Sequence, residues 1–89
     1  MKLLVICRPC EGVDASAEIA PRAAAEMAAL GELKDAGLLL EAYSPGGPGA
    51  VLIFEGERAE VDRALADLPL IRDGIVEADV TELHPFRAS

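Results

Sequence analysis

The apolar positions of this chain switch between two periods, and each switch marks the border of an element. Residues 2–8 form a nearly continuous apolar run with β-branched Val5 and Ile6, stopped by Pro9. Such a run predicts a strand buried on both faces and central in its sheet. A polar connection follows from Glu11 to Ser16, in which Asp14 or Ser16 is placed to cap a helix. Ala23, Met27, Leu30 and Leu33 then recur at helical spacing and predict a helix over 17–36. Pro21 requires that helix to begin near it or to kink there, and Gly37 is placed to end it in the left-handed conformation.

Residues 38–43 and 50–55 read as two strands joined by the turn cluster Ser44-Pro45-Gly46-Gly47-Pro48-Gly49. Val61, Ala64, Leu65 and Leu68 stand at i, i+3, i+4 and i+7 and predict a second helix over 57–68, ended by Pro69. Glu57, Glu60 and Asp62 near its start complement the helix dipole. A last strand over 75–83 carries Glu77, Asp79 and Thr81 at alternate positions, as expected when one face is wet.

The order strand–helix–strand–strand–helix–strand predicts a ferredoxin-like α+β fold. This is a four-stranded antiparallel βαββαβ sheet with both helices on one face, in a single domain over 1–89. The other face then has no cover within one chain. Hydrophobic residues make up 52% of the sequence and aromatics 3%, so the core must be built from Leu, Val, Ile and Ala. Surplus apolar surface on so short a chain predicts a homodimer or larger homo-oligomer.

Charge removes other partners. The formal net charge is −8, with 16 acidic residues against 8 scattered basic ones. Nucleic acid and anionic membrane surfaces require clustered cations and are excluded as partners. There is no apolar run of about 18 residues to span a membrane. The N-terminal run breaks at Arg8-Pro9 too soon for a signal peptide. A cytoplasmic location and free thiols at Cys7 and Cys10 are the resulting expectations.

Chemistry-bearing residues are few. Glu26 has Ala23, Ala29, Leu30 and Leu33 as helical neighbours, on the border of the apolar stripe. It is either an edge residue reaching water or a carboxylate held against an apolar pocket, where desolvation would suit it to moving protons. His84 is the sole histidine, a residue type suited to shuttling protons. No metal site follows, because a second ligand pair is missing. Cys7-Arg8-Pro9-Cys10 has the C-x-x-C spacing of thiol redox motifs, but Cys7 lies within a strand and the following residues continue as loop. The Pro45–Gly49 segment lacks the Lys-Ser/Thr ending of a phosphate-binding loop.

Leu65-Ala66-Asp67-Leu68-Pro69-Leu70, then Glu77-Ala78-Asp79, then His84-Pro85 resembles the C-terminal half of the muconolactone delta-isomerase family. The resemblance implies a dimeric ferredoxin-like α/β barrel, often built into larger rings. It also implies cofactor-free proton transfer that shifts a double bond in a small unsaturated lactone, a reaction of aromatic or secondary metabolism. Glu26 falls where that family carries a helix glutamate, which makes it the candidate catalytic base with His84 as candidate helper. The second strand is where the family builds its pocket, so Leu40 and Tyr43 are the substrate-binding candidates. Arg8, or alternatively Arg22, is the candidate partner for a substrate carboxylate. The family's tryptophan–arginine pair is replaced here by Leu38-Leu39-Leu40-Glu41-Ala42-Tyr43, which implies a substrate other than muconolactone. A non-catalytic ligand- or protein-binding domain and a thiol redox protein are the alternatives.

Overall fold

The structure is a computed structural model and describes residues 1–87. Four strands, β1 (Lys2–Pro9), β2 (Leu39–Tyr43), β3 (Ala50–Glu55) and β4 (Val76–Leu83), form one sheet in the order β2-β3-β1-β4. Every neighbouring pair is antiparallel. With the helices on one face, this is the ferredoxin-like α+β fold expected from the element order.

β1 is central, as its apolar run predicts, but within one chain it is buried on one face only. Leu3, Val5 and Cys7 are buried while Lys2, Ile6 and Arg8 are exposed. The register carries this alternation across the sheet. Leu3 opposes Phe54 and Val5 opposes Leu52 on the covered face, whereas Leu4 opposes Ile53 and Ile6 opposes Val51 on the open one.

The helix expected over 17–36 is two helices. α1 (Ala15–Ile19) starts earlier, with Asp14 Oδ1 accepting from the Ala17 amide at 3.3 Å. A 3₁₀ turn over Ala20–Arg22 separates it from α2 (Ala23–Asp35). Pro21 is the cause, since it has no N–H to donate to the preceding turn and its ring crowds that turn's carbonyl. Gly37, at φ 78°, ends α2 in the left-handed conformation. The Leu38 amide bonds back to the Leu33 carbonyl, the outer bond of a Schellman cap.

Pro69 also does more than end a helix. α3 (Arg58–Asp67) stops before it, because the residue preceding a proline is driven out of the helical region, and Leu68 is extended at ψ 130°. Pro69 then opens a further short helix, α4 (Pro69–Arg72). Periodicity could not reveal a four-residue helix. The core gathers Leu3, Val5, Leu52, Phe54, Val61 and Leu65 between sheet and helices, with Leu68, Ile75 and Val76 closing it. Among the described residues no helix is long and apolar enough to cross a membrane.

Candidate functional site

α3 contributes two buried residues, Val61 and Leu65, to the core, whereas α2, although longer, contributes none. α2 packs against the core only through the half-buried Ala29, Leu30 and Leu33. Beside Leu30 it presents Ala23 and Gly31, too small to fill the space toward the strands, and a cavity of about 610 Å³ remains. That volume falls within the range of roughly 300–1,000 Å³ typical of small-molecule sites.

The floor is Cys7 of β1, Leu39 and Ala42 of β2, and Ala50 and Leu52 of β3. A bulge in β2 shapes it. Leu39 pairs with Phe54 and Glu41 with Ile53, so Leu40 is the extra residue, and both Leu39 and Ala42 turn toward the helix. The turn after β2 forms an end wall through Ser44, Gly47, Pro48 and Gly49. Gly49, at φ 120°, packs so tightly on the Cys7 carbonyl that a Cβ there would collide with it. Only glycine lets the turn meet β1 at this point.

Glu26 is the only carboxylate among the lining residues and Lys34 the only cation. Glu26 is half-buried, and its Oε1 accepts a hydrogen bond from the Leu70 amide at 3.0 Å. That amide lies in the first turn of α4 and has no partner within so short a helix. The bond therefore ties α2 to α4 and fixes one carboxylate oxygen at the cavity wall. The sequence left Glu26 between a surface residue and a pocket carboxylate. The structure gives it a pocket position and a structural bond together.

Cys7 is 6% exposed and lines the same cavity. Burial, reinforced by the Glu26 charge, pushes its thiol up to about 11, so it stays protonated at neutral pH. Redox thiols need the opposite shift. Cys10 lines a different, open groove between α3 and the edge strand β4, and both cysteines are free. The two thiols of the C-x-x-C motif thus serve separate surfaces.

The five candidate residues divide. Glu26 lines the cavity, and Tyr43 borders its mouth. Tyr43, however, pairs with Val51 on the open sheet face, where its side chain, 57% exposed, donates its hydroxyl to Glu41 Oε2. Arg8 lies on the open sheet face, paired with Asp79 at 2.9 Å. Leu40 is exposed in the bulge. His84 is exposed just beyond Leu83, which pairs with Lys2. Lys2 and the cavity residue Cys7 are five residues apart on β1, about 17 Å. Within one chain the structure therefore separates His84, Arg8 and Leu40 from Glu26.

Lys34 and Gly31 were not anticipated. The signal for Lys34 lay in the residues one turn before it, Leu30 and Gly31, which offer a lysine no carboxylate. Gly31 is an interior helix glycine that costs roughly 1 kcal/mol relative to alanine. A Cβ on it would meet nothing within 4 Å. Among the described residues no cluster of three His, Cys, Asp or Glu side chains could hold a metal ion.

No protein-family model and no curated protein matches the chain. Solved structures do. One is 5-chloro-2-hydroxyhydroquinone dehydrochlorinase, TftG, from Burkholderia phenoliruptrix, in complex with 2,5-dihydroxybenzoquinone. It is 21% identical with a TM-score of 0.74, over 94% of each chain. Another is a structural-genomics protein from Agrobacterium tumefaciens, 25% identical with a TM-score of 0.47, over 97% of this chain and 96% of the other. The likeness to the Burkholderia protein is one of fold, and the expected relation to a ferredoxin-like scaffold is supported at that level.

Proposed function

We propose that this chain is a cofactor-free enzyme that moves a proton on a small, largely apolar ring compound such as an unsaturated lactone. Glu26 is its acid/base group. The carrying observation is a ligand-sized apolar cavity with one carboxylate in its wall, pinned at Oε1 by the Leu70 amide. A carboxylate so fixed takes a proton from a carbon next to a carbonyl and returns it at another carbon, the step a double-bond shift needs. The Cys7 thiol, held protonated, offers a weak donor to the oxyanion that develops. The Burkholderia protein was captured with a dihydroxybenzoquinone, a small ring of the class such a cavity suits. His84 has no step in this reading.

The test is isomerisation and deuterium exchange of α-angelica lactone in D₂O, followed by proton NMR. Glu26→Gln keeps a side-chain oxygen to accept from Leu70 but cannot act as a base. Its expected effect is a loss of about 10²–10⁴-fold with the fold intact. Equal rates in wild type and Glu26→Gln would remove Glu26 from the mechanism. They would favour the second reading, a non-catalytic binding domain in which Glu26 serves only its bond to α4, a role that bond by itself supports.

The proposal includes a homodimer formed through the open sheet face. Leu4, Ile6, Val51 and Ile53 form an apolar centre there, bordered by the Arg8–Asp79 pair. A face that is apolar at its centre and charged at its rim suits a self-complementary two-fold contact. Sedimentation should give twice the chain mass, and Ile6→Glu should reduce it to the monomer. A monomeric wild type at micromolar concentration would end this part of the proposal.

A further inference from the structure

We infer that the cavity selects an elongated, apolar-bodied monoanion lying along α2, with its carboxylate on Lys34 and its reacting end at Glu26. This inference rests on the reading of Glu26 as the acid/base group and adds the substrate class to it.

The lining residues of α2 form a track. Glu26 stands at one end and Lys34 at the other, with Met27, Leu30 and Gly31 between them. The two charges are eight residues apart in the helix, about 12 Å along its axis. A ligand that meets both carries an apolar stem between its reacting ring at Glu26 and its carboxylate at Lys34, so α-angelica lactone represents its reacting end alone.

Lys34 is free for such a ligand. Arg8, Arg22, Arg58 and Arg72 each hold a carboxylate. Lys34 makes no ion pair among the described residues. Lys2 and Arg63 also make no ion pair among them, but neither lines the cavity. A lysine in the last turn also complements the helix dipole, but it would do so equally on the outer side of the helix. Lys34 instead borders the cavity.

Gly31 supplies an independent observation. Its backbone is helical, with no positive φ, and a Cβ there would meet no neighbour within 4 Å. Neither conformation nor packing asks for glycine at this position. Its effect is to hold space open midway along the track, where the body of the ligand passes.

The charges also set the direction of binding. An anion is repelled at the Glu26 end and attracted only at Lys34, while the neutral Cys7 thiol adds no charge to the floor. The carboxylate therefore stays at Lys34 and the apolar end goes in toward Glu26.

The probes are 6-phenylhexanoate and its uncharged counterpart 6-phenylhexan-1-ol. Each is titrated into the full chain at pH 7 and followed by amide shifts of Leu30, Gly31 and Ala42. Both should bind, the carboxylate about fivefold tighter, the scale of one partly exposed ion pair. Lys34→Gln should bring the carboxylate down to the alcohol's affinity and leave the alcohol unchanged, and Lys34→Arg should preserve the difference. Gly31→Leu should weaken both several-fold without loss of folded signal. An alcohol that binds as tightly as the carboxylate, or a Lys34→Gln variant that weakens both alike, overturns the inference and leaves Glu26 its role. If neither probe shifts these amides, both the inference and the cavity reading behind it fall. A Lys34-dependent preference alongside an unchanged Glu26→Gln rate would instead sink only the acid/base assignment.

Discussion

The two helical layers cover the same sheet face by opposite means. α3 does it with apolar burial: Val61 and Leu65 are at most 4% exposed and share a core with Phe54 and Leu3. α2 has no fully buried residue; Ala29, Leu30 and Leu33 rest half-buried against the core, and polar ties complete the hold on its end of the molecule. Glu26 accepts from the Leu70 amide, and Arg22 bonds Asp73 Oδ2 at 2.9 Å and the Glu18 carbonyl at 2.8 Å. These ties connect the α1–α2 segment to α4 and its end, so the cavity stays open without letting the helix drift. The difference separates two jobs. Stability resides mainly under α3, and the space for a ligand is kept under α2, in the part of the fold with less burial to lose.

Truncations on the two sides break this comparison most sharply. Leu65→Ala should cost about 2–5 kcal/mol, and Phe54→Ala about 3–5 kcal/mol, because each opens a void among residues that cannot collapse into it. Leu30→Ala, beside existing empty space, should cost less than about 2 kcal/mol. Urea unfolding of the three variants measures this directly. A Leu30→Ala loss as large as that of Leu65→Ala would mean that α2 is packed as tightly as α3.

The same contrast explains what was legible in the sequence. Strands and the α3 stripe declare themselves because burial imposes a period, and the antiparallel βαββαβ order followed from that alone. The α2 region obeys no such constraint. Its Ala-rich pattern reads as a helix but not as one roof of a cavity, since nothing in the spacing of Ala23, Met27 and Leu30 says how far the sheet lies below. The break at Pro21 was foreseen as a possibility, whereas α4 was hidden because Pro69 carries both an ending and a beginning. Glu26 was singled out by its place on the stripe border, but spacing left it between water and a pocket, and only the family resemblance made it the candidate base. Lys34 and Gly31 were passed over because each looks ordinary until the cavity is seen. Leu40 was misplaced relative to the cavity by a one-residue bulge, which no pattern of period two reveals.

Gly31→Ala gives a smaller effect with an unusual sign. Alanine adds helix propensity at a position with helical backbone and no neighbour within 4 Å of the new Cβ. The free protein should therefore gain about 0.5–1 kcal/mol, read as a higher urea midpoint with unchanged slope. A destabilised variant would show that the space beside Gly31 is already filled in solution.

The polar ties of the α2 side should also respond to pH in a way the α3 side does not. Hydrogen bonds from Arg72 and Arg22 hold the Asp73 carboxyl at about 2, against an ordinary value of 3.8. A carboxylate with a lowered folded-state value stabilises above its unfolded value and loses that contribution as pH falls toward the folded one. The tie is therefore complete above about pH 4 and is lost on descent to about pH 2. Amide protection factors, corrected for intrinsic exchange, should fall over this window in α1 and α2 while those of Val61 and Leu65 hold. Asp73→Asn should lower α2 protection at pH 5 and flatten its dependence between pH 4 and pH 2, since Arg22 then has no charge to follow at residue 73. Parallel loss of protection in α2 and α3 would instead show one cooperative unit, with the polar ties sharing their load with the core.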